Sequence, residues 1–104
     1  MASNDFDART FQPGEIIDAP MHYTARRPHF FRITRNSGKS IWARPLRGIV
    51  VHDDGYGQNG DMMPDLDDLG GEEVMGRIDK RGYATLNGNT ARRWDGQPSA
   101  YYTD

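Results

Sequence analysis

The sequence EVMGRIDKRGYATL, residues 73–86, predicts two short strands joined by a tight turn. Strand-like runs occupy residues 73–79 and 83–86, and the glycine between them favours a turn because it adopts backbone conformations that other residues avoid. Trp94 and the pair Tyr101-Tyr102 follow in the last part of the chain. This ending is typical of the closing edge of a small β-barrel.

The clearest hairpin lies earlier, at residues 29–44. Its first run is rich in aromatic and β-branched residues, which favour strands. With Ser37 and Gly38 as the two turn residues, Ile33 lies opposite Trp42, because the turn fixes the register of a hairpin. Trp42 and Trp94 are predicted to be the largest side chains of the core. The register places Phe31, Ile33, Trp42 and Leu46 on one face and Phe30, Ile41 and Ala43 on the other.

Further elements follow from shorter signals. Residues 15–19 predict a strand after a Pro-Gly turn. Residues 49–52 form a nearly continuous apolar run, which is typical of a strand partly covered on both faces. Prolines flank residues 21–27, so we expect a loop there. Residues 90–93 predict a single helical turn capped by the preceding asparagine.

The chain of 104 residues predicts one domain with one core. Residues 1–12 are expected to be a flexible N-terminal arm, and residues 13–104 a single small β-barrel domain. Residues 53–71 are rich in aspartate and glycine, which predicts a long acidic loop. The expected fold is therefore all-β, an SH3-like barrel of five or six short strands with this loop and one short helical turn.

Composition excludes several classes of protein. The chain has no cysteine, so neither a disulfide framework nor a thiolate metal site is available. No apolar run approaches the length of a membrane span, about 18 residues. The N-terminus lacks the basic and apolar regions of a secretion signal. We therefore expect a soluble, cytoplasmic protein with no membrane contact.

Charge is unevenly distributed although the net charge is only −2. Residues 1–48 are basic, and residues 49–78 combine a single arginine with eight acids. These acids either solvate a loop and partly neutralise the barrel, or form a negative surface for a basic partner. The candidate partner-binding acids are Asp53, Asp54, Asp61, Asp65, Asp67, Asp68, Glu72 and Glu73.

A second candidate surface is basic and aromatic. Arginine with aromatic side chains suits nucleic-acid phosphates and bases, and both are enriched at protein interfaces. Arginines in a loop are also common as plain solvated charge, so this alternative stays open. The candidate residues are Tyr23, Arg26, Arg27, Phe30, Arg32 and Arg44.

Motifs for catalysis or cofactor binding are incomplete. The run NSGKS, residues 36–40, lacks the first glycine of a phosphate-binding loop and precedes a strand where such a loop needs a helix. His22, His29 and His52 lack the spacing of known zinc modules, and the acidic run is not an EF-hand. No nucleophile motif is present. We expect no enzyme activity, no metal and no cofactor.

Four short motifs span residues 14–104. They are GEII (14–17), FFRIT (30–34), KSIWARPL (39–46) and WDGQP (94–98) with the following tyrosine pair. In this combination the chain resembles a group of small, mostly uncharacterised proteins encoded by phages and plasmids. The resemblance implies a small β fold and an origin in a mobile genetic element, and therefore a location in the cytoplasm of a bacterial host cell. It implies no shared activity. Residues 21–27 depart from the pattern of the group, in which Trp-Gly-Tyr and Gln-Thr-Asn follow the first strand.

These observations lead to one main hypothesis and two alternatives. The main hypothesis is a non-enzymatic inhibitor from a mobile element that binds a host protein through its acidic loop. The target would be the basic, nucleic-acid-binding surface of a defence nuclease, as for anti-CRISPR or anti-restriction proteins. One alternative is a nucleic-acid-binding SH3-like module that uses the basic-aromatic hairpin. The other is a phage virion or assembly component.

Overall fold

The computed structural model describes residues 4–22, 25–56, 58–69 and 71–102. These residues form mainly antiparallel strands with two short 3-10 turns, so the predicted all-β class is confirmed. The strands are β1 (Ile16–Asp18), β2 (Met21–His22), β3 (Arg26–Arg27), β4 (Phe30–Asn36), β5 (Ser40–Asp53), β6 (Asn59–Leu69), β7 (Val74–Arg77), β8 (Thr85–Leu86), β9 (Asn89–Thr90), β10 (Arg92–Arg93) and β11 (Ser99–Tyr102), and the 3-10 turns are Asn4–Phe6 and Ala8–Thr10.

Strand β5 is the longest element and organises the sheet. On one side its residues 41–46 pair with β4. On the other side β7 pairs with residues 40–43 and β6 pairs with residues 46–53. A strand of this length spans about 43 Å when extended, which matches the longest dimension of the molecule, 43 Å. The strand predicted at residues 49–52 is confirmed as the second half of β5.

The main sheet is curled but open. Its strand order is β10-β1-β4-β5-β6-β11-β3-β2, with β7 also on β5. Within the described ranges no backbone ladder joins β10 or β1 to β2 or β3, so the sheet does not close into a barrel. Side chains bridge the opening instead. The Ser99 hydroxyl donates to the Asp18 carboxylate at 3.2 Å, and the Arg26 guanidinium lies 4.0 Å from the same oxygen.

Two apolar clusters fill the two sides of the sheet. Phe30 and Phe31 are neighbours in β4 and therefore point to opposite faces. The larger cluster contains Ala8, Phe11, Ile17, Ala19, Phe31, Ile33, Ile41, Ala43, Ala84, Leu86 and Ala91. The smaller one contains Phe30, Leu46, Met62 and Tyr101, with Ile16 and Trp94 packed against it.

The register of the β4–β5 hairpin differs from the predicted one, and part of the difference is a β-bulge. The pairing shifts between Ile33 and Arg35, so that Ile33 lies opposite Ala43 and Arg35 lies opposite Trp42. The prediction of Ile33 opposite Trp42 is wrong for two reasons. The Ser37 N–H donates to the Ser40 carbonyl at 3.0 Å, so the two turn residues are Gly38 and Lys39, where Ser37 and Gly38 were predicted. This turn moves the partner of Ile33 two positions along β5, and the bulge, which adds a residue to β4, moves it back by one to Ala43. The side chains that share one core are therefore Phe31, Ile33, Ile41 and Ala43.

Neither tryptophan is a core anchor. Trp42 is half-buried, with the Arg35 guanidinium 3.7 Å above its ring centroid. Trp94 is also half-buried, and its indole N–H donates to the Gln97 carbonyl at 2.8 Å. The fully buried large side chains are Phe11, Phe30, Ile17, Ile33, Ile41 and Leu86.

The described part of the N-terminal segment is packed into the domain, in contrast to the predicted flexible arm. Ala8 and Phe11 are 0% exposed and belong to the larger cluster. The Asn36 amide donates to the Ala8 carbonyl at 2.9 Å and to the Phe11 carbonyl at 2.8 Å. The Ala8 N–H donates to the Gly82 carbonyl at 2.7 Å. This segment therefore covers one face of the sheet.

Three other local predictions are corrected. Residues 21–27, predicted as a loop, contain the paired strands β2 and β3, because the flanking prolines lie just outside the pairing. Residues 90–93 contain ends of β9 and β10 and no helical turn, since the Ala91 N–H donates across to the Ala84 carbonyl at 2.8 Å. Most of the predicted acidic loop, residues 53–71, is β6, because Met62 and Pro64 are buried and alternate with more exposed positions.

We expect Phe11→Ala to lower the free energy of unfolding by about 3–5 kcal/mol, because it leaves a cavity in the larger cluster. Phe6→Ala is the matched control, since Phe6 lies in the same segment and is 37% exposed. Urea denaturation of both variants measures the difference. Equal, small losses in the two variants would show that residues 4–12 do not contribute to the core.

The pH dependence of stability tests the Asp18 bridge. Burial raises the pKa of Asp18, so the folded chain binds its proton more tightly than the unfolded chain does. Asp18 therefore contributes most to the free energy of unfolding when the pH is below its ordinary pKa of 3.8. This contribution is lost as the pH rises through the raised pKa of the folded chain. We expect the free energy of unfolding of the native chain, relative to Asp18→Asn, to fall over this window. The pKa values of three other acids are lowered, which makes stability rise with pH: Asp7, Asp54 and Asp79. These acids are present in both the native chain and Asp18→Asn, so their effect cancels in the comparison.

Parallel stability curves for the native chain and Asp18→Asn would contradict this prediction. Asp18→Ala provides the complementary measurement at neutral pH. It leaves the His29 N–H and the Ser99 hydroxyl without their acceptor, so we expect a loss of about 1–3 kcal/mol.

Candidate functional site

The β5–β6 hairpin and the segment that follows it carry the acidic residues singled out in the sequence. The side chain of Asp68 lies outside the described residues, and every other member is exposed or half-buried. Asp53 and Asp54 lie at the hairpin tip, Asp61, Asp65, Asp67 and Asp68 lie in β6, and Glu72 and Glu73 lie just before β7. We call this set the acidic hairpin surface.

The tip is ordered by its own carboxylates. Asp53 accepts the Gly55 N–H at 2.7 Å, and Asp54 accepts the Tyr56 N–H at 2.9 Å and the Asn59 amide at 3.2 Å. The bond from the Tyr56 backbone is the main reason that the pKa of Asp54 is lowered. The Asp54 carboxylate at the tip is therefore ionised at neutral pH.

A large irregularity concentrates acids at the other end of the hairpin. Pro64 pairs with Gly48 and Leu69 pairs with Leu46, so residues 65–68 stand against the single residue Arg47. Such extra residues leave the ladder and bend the strand outward. The Asp67 N–H donates to the Asp65 carboxylate at 3.0 Å, which closes a local turn. Three of the four residues in this bulge are aspartates.

The remaining acids lie between and beside these two groups. Asp61 pairs with His52 across the hairpin, and its carboxylate lies 3.8 Å from the imidazole. Glu73 accepts a hydrogen bond from the Thr34 hydroxyl. The acidic hairpin surface is thus supported mainly by a strand pair, where the sequence predicted a loop.

The basic-aromatic set does not form one exposed patch. Phe30 is 1% exposed and belongs to the smaller cluster, so it is a core residue. Arg26 donates to the Ser99 hydroxyl at 3.1 Å and to the Ala100 carbonyl, and it faces Asp18. Its guanidinium therefore serves the fold. Tyr23 lies outside the described residues.

The other arginines of this set differ in burial and in their hydrogen bonds. Arg44 donates from two of its nitrogens to the Gly71 carbonyl, each at 3.2 Å, and so fixes the segment before β7. Arg32 lies opposite Arg44 in the sheet and is half-buried. Arg27 is exposed. Burial and internal bonding therefore leave little of the predicted basic surface available.

An exposed apolar strip was missed in the sequence. Ile49, Val50 and Val51 in β5 are 43%, 49% and 50% exposed. Their nearly continuous apolar run predicted a strand partly covered on both faces. A local signal of exposure was available, because Arg47 and the pair His52-Asp53 flank the run with charge.

The described ranges contain neither a metal-binding cluster nor a membrane-spanning helix. No group of three or more His, Asp or Glu side chains is arranged there to hold a metal ion. None of the described helical turns is long or apolar enough to cross a membrane. The arrangement can present carboxylates and an apolar strand to a partner.

Comparison with known proteins found no matching family model, no matching curated protein and no matching solved structure.

Proposed function

We propose that this chain is a non-enzymatic binding protein whose acidic hairpin surface occupies a basic surface on a host protein. The resemblance to phage and plasmid proteins supports an origin in a mobile genetic element. The partner would be a nucleic-acid-handling protein such as a defence nuclease, and occupation of its basic surface would block access of the nucleic acid.

The observation that carries this proposal is the grouping of acids on one ordered hairpin. Its tip carboxylates are held by backbone N–H groups, and its far end carries three aspartates in a bulge. A rigid acidic element loses less entropy on binding than a flexible loop, and its field accelerates encounter with a basic partner. Carboxylates in this setting replace the phosphates that a basic groove otherwise binds.

The same geometry favours this proposal over nucleic-acid binding by the chain itself. Phe30 is buried, while Arg26 and Arg44 are engaged within the fold. The nearby hairpin is strongly negative and would repel a polyanion.

The first test measures competition with DNA for a partner. Bacterial proteins retained at low salt by the tagged chain are identified and purified, and the chain then competes with labelled DNA for each. We expect Asp65→Asn/Asp67→Asn to compete about 5- to 30-fold less well, since each of two exposed ion pairs is worth about 0.5–1 kcal/mol. The Asp65→Asn change preserves the local turn, because an amide oxygen also accepts the bond from the Asp67 backbone position.

Asp5→Asn/Asp95→Asn is the matched control, because it removes the same charge away from the hairpin. The control should compete like the native chain. Equal competition by the native chain and Asp65→Asn/Asp67→Asn would refute the role of the acidic hairpin surface.

The second test titrates labelled single- and double-stranded DNA and RNA with the purified chain. We expect no binding even at low salt, where phosphate contacts are strongest. Binding that weakens steeply with salt and is reduced by Arg27→Ala would support the nucleic-acid-binding alternative instead.

A further inference from the structure

We propose that two copies of this chain associate through the free edge of β5, with residues 47–53 of each copy paired antiparallel around a two-fold axis at Val50. This inference uses the side of β5 opposite to β6, and it shares Asp53 and Asp54 with the acidic hairpin surface.

The edge of β5 at residues 47–53 is open on the side away from β6. Strand β4 begins at Phe30, which pairs with Leu46, so β4 does not reach residues 47–53. Those residues pair with β6 on their other side, and no described strand lies on the free side. Outward N–H and C=O groups on such an edge are a template for a further strand. The exposed apolar strip Ile49–Val51 lies at its centre.

The sequence of this edge is complementary to itself. Residues 47–53 read RGIVVHD. In an antiparallel pair centred on Val50, Arg47 of one copy lies opposite Asp53 of the other, and Ile49 lies opposite Val51. Each of these pairs occurs twice in the dimer because of the symmetry. Opposite charges and β-branched residues are favourable cross-strand neighbours. This match selects a second copy over an unrelated strand.

The hairpin tip adds a second contact to the proposed dimer. Beyond Asp53, the tip of one copy reaches the point where β4 of the other begins. A cavity of about 300 Å³ opens there, lined by residues that include Arg27, Phe30, Leu46 and Met62. Tyr56 at the tip is 85% exposed in a single copy. We infer that Tyr56 covers this cavity in the dimer, with Asp54 close to the Arg27 of the other copy.

Size and shape limit the strength of this association. A seven-residue strand pair buries less area than a standard protein interface, which is about 1,600 Å². The pairing of β5 with β6 also shifts between Val50 and His52, which blunts one end of the edge. We therefore expect a dimer that forms and dissociates as the protein concentration changes.

Sedimentation analysis over a range of concentrations tests the dimer. Arg47→Asp and Asp53→Arg should each raise the dimer dissociation constant at least about tenfold, because each turns two opposite-charge pairs into two like-charge pairs. The double variant Arg47→Asp/Asp53→Arg restores opposite charges and should dimerise like the native chain. Tyr56→Ala should weaken the dimer several-fold. A native chain that stays monomeric at every concentration, or a double variant no better than the single variants, would overturn the proposal.

Cross-linking tests the register directly. The chain has no cysteine, so Val50→Cys introduces a single thiol that meets its symmetry mate at the axis. The Cα atoms of facing residues in such a pair lie about 4.5–5.5 Å apart, within the range of a disulfide. Leu66→Cys is the matched control, since Leu66 is 47% exposed and Val50 is 49% exposed. Rapid oxidation of Val50→Cys alone to a covalent dimer supports the pairing, and equal rates for both variants contradict it.

Discussion

The bridge across the open side of the sheet depends on the Asp18 carboxylate. It is 2% exposed and accepts the His29 N–H at 3.1 Å and the Ser99 hydroxyl at 3.2 Å. These partners precede β4 and begin β11, which are separated in the strand order by β5 and β6. One buried side chain thus joins parts of the sheet that no described ladder joins. Desolvation opposes its ionisation, while the hydrogen bonds and Arg26 favour it.

Much of the sheet could be predicted because its signals are local. Residues 29–44 combine strand-forming residues with a turn sequence, and both β4 and the start of β5 follow from this. The bulge after Ile33 could not be predicted, because Thr34 is an ordinary strand residue and the shift is set by packing on both faces. Phe11 was likewise misassigned. An isolated aromatic residue has no periodicity, and only the assembled sheet provides the face that it covers.

The acidic residues of the candidate site were visible in the sequence, but the strand that supports them was not predicted. Charge is a property of each residue, so the acidic run is visible in the sequence, and exposure is what the solvation of charge leads one to expect. Their support by a strand depends on Met62 and Pro64, whose alternation is obscured by the surrounding aspartates. The basic-aromatic set failed as a patch for a related reason. Phe30 and Arg27 are close in sequence, but strand geometry sends one into the core and leaves the other in solvent.

The two proposed interactions depend differently on electrostatics, which allows one small chain to have both. Contact with a basic partner relies on exposed carboxylates, whose attraction is screened by salt. Pairing along β5 relies on backbone hydrogen bonds and apolar side chains, with Arg47 beside the strip to offset the repulsion between two negative hairpins. Screening weakens that repulsion between copies. The edge of β5 and the acids of β6 also lie on different sides of the β5–β6 ladder, so pairing along β5 would leave the acids of β6 uncovered. A dimer would therefore carry two acidic hairpins. It would bind a repeated basic surface with increased avidity.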